Sequence, residues 1–427
     1  MNPFGWRAVT RTQWAVFASS TLGYGIYYVC RLSLSVVKGP IVDEGVLTEA
    51  QIGLVGSGLF YAYAAGKFAN GFLADRVSLK RLFAIGLLGS AAINLALGST
   101  GLFAVFLALW ALNGWMQSMG APACVVGLTR WFERRQRGTF YGLWSSSHNI
   151  GEGMTFLLTA AVVATWGWRA GFTASATMGF AGVGVIWLLF RDRSAVATSS
   201  VSVPDDPGAK MVGVEQWRVL RNPVVWSIAM ASALMYVTRY AVNSWGVFFF
   251  QHARDYSLVT AGGLVAVSSV CGVIGTISSG WISDVLFRGD RFKPAVLFGL
   301  LNLAVLALVL WTPKGIYALD VVAMVGFGLA IGALVCYLGG LMAVDSVPKE
   351  AAGAALGVVG IASYLGAGTQ DILSGWLIGR GREGEVGAAT YDFTAVGWCW
   401  LGAAFGTVLL TLLAQQLHRG SATLRNG

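Results

Sequence analysis

Apolar runs of about 20 residues recur along the whole of this 427-residue chain, and few charges interrupt them. A helical run of that length matches the hydrocarbon thickness of a bilayer. Within hydrocarbon every backbone amide and carbonyl must find its partner inside the protein, which leaves α-helices or a closed barrel. A barrel needs ten-residue segments of alternating polarity, and the sequence has none. The chain is therefore expected to be an all-α polytopic membrane protein. Composition agrees, with 56% hydrophobic and 11% charged residues, where a soluble domain carries about 25% charged.

Twelve spans are expected: 14–37, 51–73, 82–99, 102–129, 138–163, 170–190, 224–250, 259–281, 294–311, 317–344, 351–377 and 393–416. The first is too long for a cleavable signal peptide and is followed by others. All five cysteines fall inside spans, so neither a disulfide framework nor a metal site is expected, and no cofactor. The formal charge is +9. Its excess Lys and Arg gather in the termini and the even-numbered loops, as at Arg76, Lys80 and Arg81 or Arg130, Arg134, Arg135 and Arg137. The positive-inside rule then puts both termini in the cytoplasm. Basic residues shared among several loops fit a nucleic-acid partner poorly, and none is expected.

The chain repeats itself. "GFLADRVSLKR" (71–81) closes the second span and "GWISDVLFRGDR" (280–291) closes the eighth; "YVCR" (28–31) and "YVTR" (236–239) lie in the first and seventh. The offsets are 209 and 208 residues. Two markers with nearly one offset predict two homologous halves of six helices each, 1–190 and 224–427. Between them a charged, Ser- and Pro-rich stretch, 191–223, reads as a cytoplasmic linker. Two parallel six-helix repeats describe the major facilitator architecture. The paired motif at 71–81 resembles that superfamily's loop signature, in which Asp75, Arg76 and, in the second half, Asp284 form a gating latch. Ordinary topogenic charge is the other reading, though it need not recur in sequence.

The ionisable residues inside the spans carry the chemistry. They are Arg31, Lys67, His148, Glu152, Arg239 and Asp371. An arginine at mid-bilayer costs about 2.5–3.5 kcal/mol on insertion scales, so it must face a partner or a cavity. Helical spacing supplies its company: Tyr24, Tyr28 and Arg31; Tyr63 and Lys67; Trp144, His148 and Glu152; Tyr236, Arg239 and Asn243. Under the repeat, Arg31 and Arg239 are expected to face each other. An anion between them would relieve their repulsion, and the planar guanidinium fork suits phosphate. The bland alternatives are ion pairs with Glu152 and Asp371, tyrosines that merely glue helices, a buried hydrogen-bonding His148 and a snorkelling Lys67.

"GYGIYYVCR", "FYAYAAGKFANGFLADR", "WFERRQRGTFYGLWSSSHNIG", "YVTRYAVNSWG" and "VPKEAAGAALGVVGIASYLGA" together resemble the organophosphate:phosphate antiporters of the major facilitator superfamily. The resemblance implies exchange of inorganic phosphate for an external phosphate ester by rocker-switch alternating access, in a monomer; the short loops and compact termini point to a bacterial inner membrane. The resemblance also implies phosphate binding at Arg31 and Arg239, with His148, Lys67, Tyr24, Tyr28, Tyr63 and Tyr236 around them. Departures are Leu32 where a lysine is common, and Glu152 within "HNIGEG" where glycine is usual. With Asp371 in span 11 they make the site less positive. Glu152 or Asp371 is expected to meet a second group on the substrate, an amine or hydroxyls, or to couple transport to protons. Rival functions are a transporter-like sensor of a phosphate ester and a proton-coupled anion symporter. An enzyme is not expected, since no nucleotide loop, metal cluster or soluble domain is found.

Overall fold

The computed structural model describes residues 9–193, 219–348 and 351–426; most of the expected linker lies outside them. The described residues are helical almost throughout. In order come α1 (Arg11–Asp43), α2 (Glu49–Arg76), α3 (Leu79–Leu97), α4 (Phe103–Gln117), α5 (Gly120–Trp131), α6 (Arg134–Ser145), α7 (Ser147–Met154) and α8 (Ala160–Leu189). Then follow α9 (Pro223–Arg254), α10 (Leu258–Trp281), α11 (Phe292–Trp311), α12 (Tyr317–Cys336), α13 (Met342–Asp345), α14 (Ala352–Arg380) and α15 (Thr394–Asn426). A short antiparallel hairpin, Arg382–Glu383 with Thr390–Tyr391, joins the last two helices. Local chemistry sets the starts. Thr10 with Gln13 and Thr48 with Gln51 form capping boxes, and Asn222 caps α9 with Pro223 in its first turn.

All twelve expected spans fall on helical stretches, but several are broken. Span 4 divides at residues 118–119 into α4 and α5. Span 5 is made of α6, α7, a π-helical turn at Thr155–Thr159 and the start of α8. It reaches span 6 through Gly167, whose φ of 80° only glycine adopts without strain. Further π-helical turns, Ile282–Leu286 and Tyr337–Leu341, follow α10 and α12. Among the described residues, eight stretches are by themselves long and apolar enough to cross a membrane, one of them, Gln136–Leu189, covering spans 5 and 6. α1 and α2 are not among them because their tyrosines, serines and cations lower the hydropathy; α4 and α5 are each too short.

Contacts divide the chain into two compact units. The first holds α1–α8 together with Leu258–Ala266; the second holds the other described residues from 219 onward. Within the first, α1 is buried on every side from Tyr27 to Gly39. Within the second, α9 is buried on every side from Thr238 to Phe250. A helix buried all round is the centre of its bundle, and each of these carries one of the paired arginines.

Small residues let the neighbours approach. A methyl on Gly151 of α7 would press into the carbonyl of Gly25 on α1, and one on Gly366 of α14 into the carbonyl of Ala233 on α9. Gly114 of α4 meets Leu59 of α2 in the same way, and Gly328 of α12 meets Ser268 of α10. Gly25 and Ala233 are 208 residues apart, Leu59 and Ser268 are 209, and the facing glycines are 215 and 214 apart. The repeat read from the sequence therefore reappears as matched helix crossings inside each unit.

Backbone atoms form those contacts, so they have no flexible side chain to yield. Gly151→Ala and Gly366→Ala are expected to destabilise by about 1–3 kcal/mol, the range for overpacking. Gly138→Ala, with nothing within 4 Å of the added methyl, serves as the control. Thermal unfolding in detergent checks this, and equal midpoints for all three variants would contradict the crossings.

Candidate functional site

In the first unit the expected residues converge around α1. The Gly25–Gly151 crossing brings α7 against α1, so His148 and Glu152 flank the contact. The Tyr28 ring lies 5.7 Å from that of His148, and Tyr24 lies 4.9 Å from Trp144. The Arg31 guanidinium stands 5.3 Å from the Tyr28 ring centre and 4.4 Å from that of Tyr63, with Phe60 at 6.0 Å. Arg31 and Glu152 are each 3% exposed. Aromatic faces offset part of the cost of a buried cation, about 2 kcal/mol when desolvated. Tyr63 is buried, whereas Lys67, one turn on, is exposed.

The second unit repeats the motif with other company. Arg239 is 5% exposed, its guanidinium 5.8 Å from the Tyr236 ring and 5.7 Å from Tyr240. In both units, then, the arginine stands over the tyrosine three residues before it. Tyr364 of α14 packs edge-on to Tyr236 at 5.7 Å. Asn243 is buried one turn beyond Arg239. Asp371 of α14 is 1% exposed, and its Oδ1 accepts from the Ser244 hydroxyl at 2.7 Å and the Trp245 indole N–H at 2.6 Å. It therefore ties α14 to α9.

Of the expected latch residues, Asp284 lies in an ion pair among the described residues. Arg291 pairs with Asp284 at 2.5 Å and with Asp345 at 3.4 Å, joining the end of α10 to the end of α13. Asp284 is 60% exposed, so the pair adds little stability. Arg76 is exposed at the end of α2, and the Asp75 side chain lies outside the described residues.

Sequence reasoning missed several residues. Lys38 falls just beyond the expected end of span 1 at residue 37, but α1 runs on to Asp43 and Lys38 is 1% exposed, two turns past Arg31 on the same face. Its i+7 spacing from Arg31 was the available signal. Tyr240 and Tyr364 lay beside the expected positions without being singled out. Also missed were Asn94 of α3 and Asn113 of α4, both fully buried, whose amide nitrogens donate to the Cys30 carbonyl at 3.0 and 3.1 Å. They hold α1 at the residue before Arg31. Gln117 does the same at the Tyr27 carbonyl, 2.9 Å.

A second polar cluster closes the far end of α9. Arg254 pairs with the fully buried Asp320 at 3.8 Å, and the Tyr256 hydroxyl donates to Asp320 at 2.7 Å. Burial and that carboxylate push the Tyr256 phenol up to about 12, so it stays a donor at neutral pH. A cavity of about 400 Å³ opens beside it, lined by His252, Lys314, Tyr391 and Trp398 among others. It holds none of the expected site residues.

Truncating Asp371 would strand two buried donors. Asp371→Ala is expected to cost about 1–3 kcal/mol, while Asp371→Asn keeps an acceptor oxygen and loses less. Thermal unfolding of the two variants checks the order.

The comparisons bear on what such an arrangement serves. Residues 15–369 match the model of the Major Facilitator Superfamily. The chain is 32% identical to the membrane sensor protein UhpC of Salmonella typhimurium over 85% of this chain and 84% of that one. It is 30% identical to the glycerol-3-phosphate transporter of Bacillus subtilis, covering 87% and 88%. It is 28% identical to a probable hexose phosphate transport protein of Chlamydia trachomatis, covering 93% and 88%. Among solved structures, the nucleoside transporter NupG superposes with a TM-score of 0.74 at 15% identity, covering 96% of this chain and 99% of that one; that likeness carries the fold alone. A helical multi-pass architecture, a doubled arginine motif and these relatives together identify the chain as a member of the organophosphate:phosphate antiporter family of the major facilitator superfamily, a family of membrane transporters and not of enzymes.

Proposed function

We propose that this protein exchanges an external phosphate ester for internal inorganic phosphate by rocker-switch alternating access. The observation that carries the reading is the doubled motif: each unit buries one arginine in its central helix, over a tyrosine three residues earlier. Two such guanidiniums suit the several oxygens of one phosphoryl group. Arg31 and Arg239 bind the phosphoryl group. Tyr24, Tyr28, Tyr63, Tyr236, Trp144, His148 and Asn243 frame the substrate, and Lys67 meets it on entry. Relatives named as hexose phosphate and glycerol-3-phosphate transporters support an ester as the cargo. The protein works as a monomer in a bacterial inner membrane with both termini cytoplasmic, the side its basic loops favour.

The two acids take different parts. Asp371 already accepts from Ser244 and Trp245, which suits a fixed role between helices. Glu152, one turn past His148, is the residue assigned to the substrate's second group. A carboxylate there favours an ester that also carries an ammonium or hydroxyl groups. A sensing role is the second reading, favoured by the 32% identity to a membrane sensor protein.

Purified protein in liposomes loaded with radiolabelled phosphate tests this. Efflux is expected only when an external ester is present. Arg31→Ala or Arg239→Ala should lower it by at least about 30-fold, since breaking a buried charge pair costs about 2–5 kcal/mol. Ester binding without exchange would favour the sensor, and exchange untouched by either substitution would remove the arginines from the site. Glu152→Gly is expected to shift preference from an aminoalkyl phosphonate toward glycerol 3-phosphate; an unchanged ratio would end the assignment of Glu152.

A further inference from the structure

Each arginine helix is tethered at the residue just before the arginine, and by the same residue type. In the first unit Asn94 of α3 donates to the carbonyl of Cys30 at 3.0 Å. In the second, Asn302 of α11 donates to the hydroxyl of Thr238 at 3.2 Å, and Thr238 in turn donates to the Met235 carbonyl at 2.8 Å. Asn94 and Asn302 are both fully buried. They lie 208 residues apart, the same offset as Cys30 and Thr238 and as Arg31 and Arg239.

The two tethers are not equally made. The Asn94 carbonyl oxygen accepts from Ser33 at 2.7 Å, and its amide also reaches the Ser90 carbonyl at 2.9 Å. Asn113, Ser90 and Gln117 complete a network around the same turn of α1. In the second unit the carbonyl oxygen of Asn302 is buried with no partner among the described residues. The repeat explains why. The place of Ser33 is taken by Ala241 and that of Ser90 by Phe298, at the offset of 208; Asn113 and Gln117 become Phe327 and Ile331, at the offset of 214. A buried amide oxygen without a donor is a local cost, and here it sits against the helix that carries Arg239.

We propose that Asn94 and Asn302 are matched positioning residues for the two arginines, and that the tether at Asn302 is the one left with an unmet acceptor beside its arginine helix. This rests on the reading of the arginines as phosphate ligands. Ala241→Ser would supply the missing donor in the geometry that Ser33 already demonstrates. Thr238→Val removes the tether at constant shape, while Thr238→Ser keeps it.

The test measures inorganic phosphate binding by calorimetry on the purified full chain, with thermal unfolding in parallel. Interhelical hydrogen bonds in membranes contribute about 0.6–1.7 kcal/mol, so Thr238→Val should weaken phosphate binding about 3- to 20-fold. Thr238→Ser should restore it. Ala241→Ser should raise the unfolding midpoint by about 1–3 °C and slow exchange. Thr238→Val should combine non-additively with Arg239→Lys and additively with Arg31→Lys. A Thr238→Val variant that lowers the midpoint but leaves phosphate affinity alone would make Asn302 merely structural and overturn the inference. Arg239→Lys without effect on phosphate binding would overturn the functional reading and this inference with it.

Discussion

A guanidinium in hydrocarbon is the constraint around which each half of this protein is organised. It cannot face lipid at a cost of about 2.5–3.5 kcal/mol without return, so its helix must be enclosed. α1 and α9 are accordingly buried on every side along thirteen residues each, 27–39 and 238–250. Enclosing a helix that completely demands close neighbours, and close neighbours demand glycine where backbones touch. The Gly151 and Gly366 contacts follow from that need. The tyrosines then line the cations with π faces in place of lipid. Aromatic company, glycine crossings and asparagine tethers are three answers to one electrostatic cost.

The halves keep geometry and change chemistry. Crossings recur at matched positions, and so do the arginine, its preceding tyrosine and the asparagine beside it. The polar network around Cys30 has turned apolar around Thr238, where Phe327 and Ile331 stand in the places of Asn113 and Gln117. Apolar packing and a satisfied polar network can each fill a core, and the two halves have taken different options. The first unit gains orientation from its bonds around Cys30; in the second, the described links to α9 include the Asn302 tether, the Ser232–Ser363 hydroxyl pair at 2.8 Å and the aspartate link from Asp371 to Ser244 and Trp245.

Much of this was legible in the sequence. Span length gave the fold class, and two short motifs at one offset gave the repeat. The arginine faces were readable because charge inside an apolar run has few physical excuses. The break at residues 118–119 carries a local signal, since Gly120 and Pro122 follow it and Pro122 has no N–H to give the Ser118 carbonyl. The π-helical turn at Thr155–Thr159 was not readable, because no proline or glycine lies within it. Lys38 escaped notice because it lies just past the expected end of span 1, whereas α1 continues to Asp43. Asn94 and Asn302 were within reach. Both begin the tripeptide Asn-Leu-Ala, at 94–96 and 302–304, but a neutral amide draws less notice than a charge, although in hydrocarbon it needs partners just as surely.

The central placement of Arg239 in α9 also has an electrical meaning. The helix runs from Pro223 to Arg254, so the guanidinium lies about 22–24 Å from either end. A charge brought there from one face has crossed about half of the membrane's potential drop, and a full crossing is worth about 2.3 kcal/mol per charge at 100 mV. Exchange of one dianion for another carries no net charge and is indifferent to that field. In the proposed exchange, an ester bearing an ammonium group has one negative charge fewer than the phosphate it would replace. Its exchange would carry current, and the membrane voltage would then set the direction in which the cargo accumulates.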